Sequence, residues 1–161
     1  MKVRAFASDD LAAVYAIQLK CPQSAQWREE DYLHLACDAG GTILVAEMES
    51  ANPPAVAGFV AFHRVMDEAE LRNMAVDPAQ QRRGLACALL TAGIRVMQEF
   101  GVRQLFLEVR ASNQPALALY REAGFQLRYS RREYYHDPVE DALVMGCDIT
   151  ASPQSPSNQN R

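Results

Sequence analysis

Two side chains in this sequence have the chemistry to take a proton from one group and give one to another. Glu108 ends the otherwise apolar run VRQLFLEV (102–109). If that run is a strand, two-residue alternation puts Glu108 on the same side as Phe106. A carboxylate so placed is partly desolvated, which suits it to accept a proton from an amine. From spacing alone, a strand-end carboxylate paired with Arg110 or Arg72 is the stronger reading. Tyr120 lies in PALALYREAG (115–124). A phenol, with an ordinary pKa of ~10, stays protonated at neutral pH and can protonate a departing thiolate. The alternative is a core tyrosine with its hydroxyl at the surface.

A third feature reads either as a phosphate cradle or as an ordinary helix start with solvated arginines. In VDPAQQRRGLA (76–86) a strand ends, a loop turns and a long helix begins at Gly84. The first amides of a helix lack internal partners and carry positive character. Gly84 and Ala86 are small enough for a phosphate to approach the backbone, and Arg82 and Arg83 add charge. No Gly-Lys-Ser/Thr follows, so this is not a P-loop, and no G-x-G-x-x-G is present.

These groups need a scaffold, and the chain predicts one. KVRAFA (2–7) reads as a strand, and Ser8 as the cap of a helix whose positive end suits Asp9 and Asp10. Leu11, Val14, Tyr15 and Leu19 recur along that helix until Cys21-Pro22 breaks it. A second helix is expected over Ala25–Cys37, with Trp27, Tyr32, Leu33 and Leu35 as its apolar contacts. Residues 42–48, 55–65 and 70–76 read as an antiparallel meander. Residues 85–100 form the clearest helix, with Leu85, Leu89, Ala92 and Val96 on one stripe and Gly101 at its end. A strand (102–109), a short helix (115–124) capped by Asn113, and strands 125–135 and 141–149 follow. The strand–helix–strand order implies a parallel pair in the middle of a mixed sheet. The fold class is therefore α/β, with helices on both faces of the sheet.

The 161 residues suit one domain, expected over 1–150, with a flexible polar tail over 151–161. A net charge of −4 argues against a nucleic-acid binder. No apolar run is long enough to span a bilayer, and the charges at Asp9 and Asp10 argue against a signal peptide, so a cytoplasmic location is expected. Cys21, Cys37, Cys87 and Cys147 show no C-x-x-C spacing and read as reduced thiols, mostly core fillers. His34, His63 and His136 lack metal-ligand spacing, and no metal is expected.

NMAVDP (73–78), QRRGLA (81–86), LEVRASN (107–113), ALYREAGF (118–125) and RREYY with EDALVM (131–145) together resemble the GNAT superfamily of acetyl-CoA-dependent N-acetyltransferases. The resemblance runs from about Glu70 to Ile149. Within the superfamily it is strongest to the bacterial ribosomal-protein-alanine N-acetyltransferases of the RimI type. Ala86 stands where the commonest motif has glycine, and Glu133 where close relatives often have asparagine.

The resemblance implies a GNAT fold, acetyl-CoA as co-substrate, and transfer to the N-terminus of a small-subunit ribosomal protein beginning with alanine. Direct contact with nucleic acid or membrane is not implied. Glu108 matches the proton acceptor and Tyr120 the thiolate-protonating acid. Met74, Ala75 and Val76 match the strand whose backbone holds the acetyl group and pantetheine, with amides able to stabilise an oxyanion. Arg82, Arg83, Gly84, Leu85, Ala86 and Cys87 match the pyrophosphate loop, and Asn113 a further cofactor contact. Trp27 lies in a region that shapes the acceptor site. The alternatives are a GNAT acting on a small amine or lysine side chain, and a non-catalytic acyl-CoA sensor.

Overall fold

A computed structural model describes residues 1–150. The tail expected from Ala151 lies outside the described residues. In chain order the elements are β1 (Lys2–Ala5), α1 (Leu11–Leu19), α2 (Glu29–Cys37), β2 (Gly41–Met48), β3 (Ala55–Val65), β4 (Glu68–Val76), α3 (Leu85–Glu99), β5 (Gln104–Arg110), α4 (Gln114–Glu122), β6 (Gln126–Tyr135) and β7 (Glu140–Asp148), with short 3-10 turns at Ser8–Asp10 and Pro78–Gln80.

The strands form one mixed sheet in the order β1-β2-β3-β4-β5-β7-β6. β1 to β4 pair antiparallel, β4 and β5 pair parallel, and β7 lies antiparallel between β5 and β6. The expected α/β class, with its antiparallel first half and parallel pair, is what the structure has.

Alternation divides the sheet into two faces. Leu105, Leu107 and Val109 of β5 bury against Leu85, Leu89, Leu90 and Met97 of α3 and Leu117 and Tyr120 of α4. On the other face Val14 and Ile17 of α1 and Tyr32 and Leu35 of α2 pack on Val45, Phe59, Ala61 and Ala75. α3 presses so close to the sheet that a Cβ on Gly93 would sit 2.4 Å from the Phe62 ring.

Several local expectations are corrected. Ser8 makes no capping bond. Asp10 accepts the Ala7 N–H at 2.8 Å and also holds Arg4 through two bonds of 2.7 and 2.9 Å. Ile17 rather than Leu19 faces the core, and Leu19 is exposed. α2 begins at Glu29, not Ala25, because residues 25 and 27 are held in a loop by buried polar side chains. The Gln18 amide brackets Trp27, accepting its N–H at 3.1 Å and donating to its carbonyl at 2.7 Å, while Asn73 donates to the Ala25 carbonyl at 3.0 Å. Asp31 then accepts the Arg28 N–H and starts the helix. All four cysteines are free, but only Cys147 is buried; Cys37 and Cys87 are exposed and fill no core.

Candidate active site

The parallel ladder between β4 and β5 pairs only Glu68–Leu71 with Gln104–Leu107. β4 then continues to Val76 bonded to β3 alone, and β5 to Arg110 bonded to β7 alone. A β-bulge at Arg72 marks where β4 turns away, since Ala61 opposes Asn73 while Phe62 opposes Leu71. The result is a wedge-shaped gap lined on one side by free β4 backbone.

The phase of the β3–β4 ladder tells which groups face the gap. Asp77 N–H donates to Ala57 C=O at 2.8 Å. Antiparallel alternation then turns the polar groups of Ala75 toward Phe59 of β3 and those of Met74 and Val76 away from β3. The Val76 carbonyl already accepts from Cys21 Sγ and Gln81 Nε2, both at 3.3 Å. Lys20 Nζ pairs with Asp77 Oδ2 at 2.9 Å, tying the end of α1 to the end of β4.

The turn from β4 to α3 has the form expected of an anion cradle. Arg82 (φ +62°) and Gly84 (φ +79°) both take left-handed conformations. The first backbone bond into α3 runs from Ala88 N–H to Gly84 C=O, so Leu85, Ala86 and Cys87 keep amides without helical partners. A Cβ on Gly84 would meet nothing within 4 Å, so glycine serves the backbone conformation there rather than close packing. Arg82, Arg83 and Cys87 are exposed around it. Free amides, positive charge and an adjoining open strand edge fit a long anionic thioester such as acetyl-CoA.

Glu108 is the first β5 residue beyond the parallel ladder, on the α1/α2 face with Phe106. Its partner is neither Arg110, which binds Glu140 at 3.1 Å, nor Arg72, which lies over the Trp27 ring. Arg131 of β6 reaches across β7 instead, with Nε 3.2 Å from Glu108 Oε1. Sequence reasoning missed this residue, because 23 positions and an intervening strand separate the pair. The Glu108 side chain keeps 24% exposure.

Two consecutive tyrosines crowd the same carboxylate. Between Arg131, opposite Ala142, and Tyr135, opposite Glu140, β6 carries extra residues. Glu133 there is left-handed at φ +50°, and its N–H donates to Asp141 Oδ1 at 2.9 Å. Asparagine tolerates this conformation better than glutamate does, which gives the departure at Glu133 a local cost. The bulge brings the Tyr134 and Tyr135 rings to 5.2 Å. The charge of Glu108, and a hydrogen bond to it, push the Tyr134 phenol up. Burial first, and then Glu108, push Tyr135 up to about 12.

Tyr120 lies in the α3/α4 core at 6% exposure, beside Phe125. Burial, and secondarily Tyr135, hold its hydroxyl protonated far above neutral pH. Asn113 caps α4 as expected, its Oδ1 accepting from Ala116 N–H at 3.3 Å. Trp27 packs tilted on Tyr32 with centroids 5.0 Å apart and is half-buried at the mouth of a cavity that also includes Asp31, His34, Asp38, His63 and Arg72. His63 pairs with Asp38 at 3.3 Å. Among the described residues no cluster of His, Cys, Asp or Glu is placed to hold a metal, and no helix is long and apolar enough to cross a membrane.

A mixed sheet parted between its two parallel strands, with free helix amides at one end of the opening, defines a class. The chain belongs to the acetyltransferase (GNAT) family, whose profile matches residues 11–125, and it is an acetyl-CoA-dependent N-acetyltransferase. Its relatives include the [ribosomal protein bS18]-alanine N-acetyltransferase of Escherichia coli (strain K12), 39% identical over 143 residues, covering 88% of this chain and 93% of that protein. The enzyme of the same name from Haemophilus ducreyi is 37% identical over 72% of this chain and 86% of its own. The crystal structure of the Escherichia coli ribosomal-protein-S18-alanine N-acetyltransferase superposes with a TM-score of 0.79 at 32% identity, covering 96% of this chain and 97% of that one. Ard1 from Thermoplasma volcanium superposes at 0.78 with 25% identity, over 91% of this chain and 96% of its own. The resemblance drawn from the motifs is borne out.

Proposed function

We propose that this enzyme acetylates the α-amino group of a protein beginning with alanine, with a small-subunit ribosomal protein of the bS18 kind as acceptor, in the cytoplasm and without direct contact to nucleic acid or membrane. The names of the relatives support the acceptor. The observation that carries the chemistry is the position of Glu108, one residue past the last rung joining β4 to β5.

Acetyl-CoA supplies an activated acetyl thioester. Leu85, Ala86 and Cys87 amides, with Arg82, Arg83 and Gly84, would hold its pyrophosphate. Met74 and Val76 would offer backbone groups along the gap, with Ala75 setting their spacing, and the side-chain Nδ2 of Asn113 would make a further contact. An α-amino group is mostly protonated at neutral pH, having an ordinary pKa of ~8. Glu108 removes that proton, directly or through one water, so that the amine can attack. Tyr120, a phenol protonated at neutral pH, returns a proton to the departing thiolate.

The test is acetyl-CoA turnover on a peptide with a free N-terminal alanine beside the same peptide with its N-terminus blocked. Acetyl found by mass spectrometry on the α-amine of the free peptide alone is the expected result. Equal acetylation of the blocked peptide would overturn the N-terminal reading in favour of a lysine or small-amine acceptor.

A further inference from the structure

The carboxylate proposed as base is not alone. Arg131 Nε lies 3.2 Å from Glu108 Oε1, the shortest approach of the pair. The guanidinium is itself held. It stands 5.8 Å from the Tyr129 ring centroid and 5.4 Å from that of Tyr134, and Nη2 lies 3.5 Å from the Tyr129 hydroxyl. Small residues open its path across β7: Ala142 stands opposite both Arg131 and Arg110, and Val144 opposite both Tyr129 and Glu108.

A long carboxylate at the rim of a gap has several rotamers open to it. Proton transfer tolerates few, because the acceptor oxygen must lie within hydrogen-bond reach of the amine. We propose that Arg131 is a positioning residue: it anchors the Glu108 carboxylate in the orientation that meets the acceptor amine. The proposal rests on Glu108 being the base. The exposed location of Arg131, with 46% of its side chain open to water, suits this role. A stably buried ion pair would resist the approach of a cationic substrate, whereas a half-exposed one yields or shares at small cost. The phenols of Tyr134 and Tyr135 also lie in the field of this carboxylate, with Glu70 near Tyr134 and Arg110 over the Tyr135 ring.

The experiment is a double-mutant cycle on the full chain with Arg131→Ala, Glu108→Gln and the pair, measuring kcat and both KM values on the free-alanine peptide. Arg131→Ala is expected to lower kcat about ten-fold with the KM for acetyl-CoA unchanged, and to cost nothing further once Glu108 is glutamine. Added guanidinium should restore part of the lost rate where sodium chloride at equal ionic strength does not, and Arg131→Lys should retain more activity than Arg131→Ala. Thermal unfolding of each variant guards against loss of the fold. Arg131→Ala within two-fold of the parent, or a loss that persists in full beside Glu108→Gln, overturns the proposal while leaving Glu108 as base. Full activity of Glu108→Gln alone would overturn the reading on which it rests.

Discussion

Leu71 of β4 and Leu107 of β5 form the last rung of the parallel ladder, and Glu108 is the next residue along. The proposed base thus stands where the sheet stops being continuous. Tyr120 comes from the opposite side, buried with Leu107 and Val109 in the α3/α4 core. A proton acceptor on one face and a donor from the other can serve one substrate only at such an opening.

Replacing Glu108 with glutamine keeps the shape and removes the proton acceptor. Turnover at neutral pH should fall about 100- to 1,000-fold, while acetyl-CoA affinity changes little. Steady-state kinetics and calorimetric titration separate the two effects, and an unchanged kcat would remove Glu108 from the mechanism.

Tyr120→Phe deletes a hydroxyl for which no hydrogen-bond partner is seen among the described residues. Folding stability should stay within about 1 kcal/mol of the parent, while kcat falls at least about ten-fold. Urea unfolding beside steady-state turnover decides it. A large loss of stability with turnover intact would make Tyr120 a core residue and nothing more.

Gly84→Ala forces a side chain into the left-handed region at φ +79°. The strain should cost about 1 kcal/mol of stability and weaken acetyl-CoA binding by distorting the amides of 85–87. Binding that is undisturbed while stability drops would show that the loop geometry does not matter to the co-substrate.

Gly93→Ala should destabilise by about 1–3 kcal/mol, since its methyl would drive α3 off Phe62. The paired variant Gly93→Ala with Phe62→Leu should recover part of the loss. No recovery would mean that the clash lies elsewhere.

Asp10 carries the clearest pH dependence. Arg4, hydrogen-bonded to it, and the Ala7 amide hold its carboxyl below the ordinary value of 3.8. A depressed carboxyl contributes stability that is present above the unfolded pKa and lost as pH falls through the folded one. Asp10→Asn should therefore be less stable than the parent at pH 7, with the gap narrowing below about pH 4. Urea midpoints at pH 7, 4 and 2.5 would show it, and a gap independent of pH would refute the assignment.

Much of this was legible in the order of residues. The extent of α3 and the side of β5 that bears Glu108 follow from periodicities confined to a few neighbours, and the parallel pair follows from the order of elements. The failures are non-local. Ser8 has the right type and place for a cap, but Asp10 wins because Arg4, Ala7 and the end of β2 at Glu47 converge on one cluster. Residues 25–28 have helical character, but Gln18 and Asn73 claim their backbone. Near neighbours offer Arg72 and Arg110 to Glu108, yet its partner Arg131 is supplied by β6. No local pattern reveals that β7 comes between, or that a bulge at Glu133 brings two adjacent tyrosines to one carboxylate. Phe106 and Glu108 shared a side as alternation required, yet alternation alone could not say that the neighbouring strand ends its pairing there.

Only four rungs of backbone pairing join β4 to β5. The backbone ladder between the two halves of the sheet is thus short, and β4 is left with unsatisfied backbone that an extended co-substrate would satisfy on the proposed reading. Under that reading acetyl-CoA completes the sheet it binds, and a ligand that binds only the folded chain raises its stability by mass action. The melting temperature of this enzyme would then rise and fall with the acyl-CoA supply around it, so that a chain short of co-substrate would be both idle and easier to unfold.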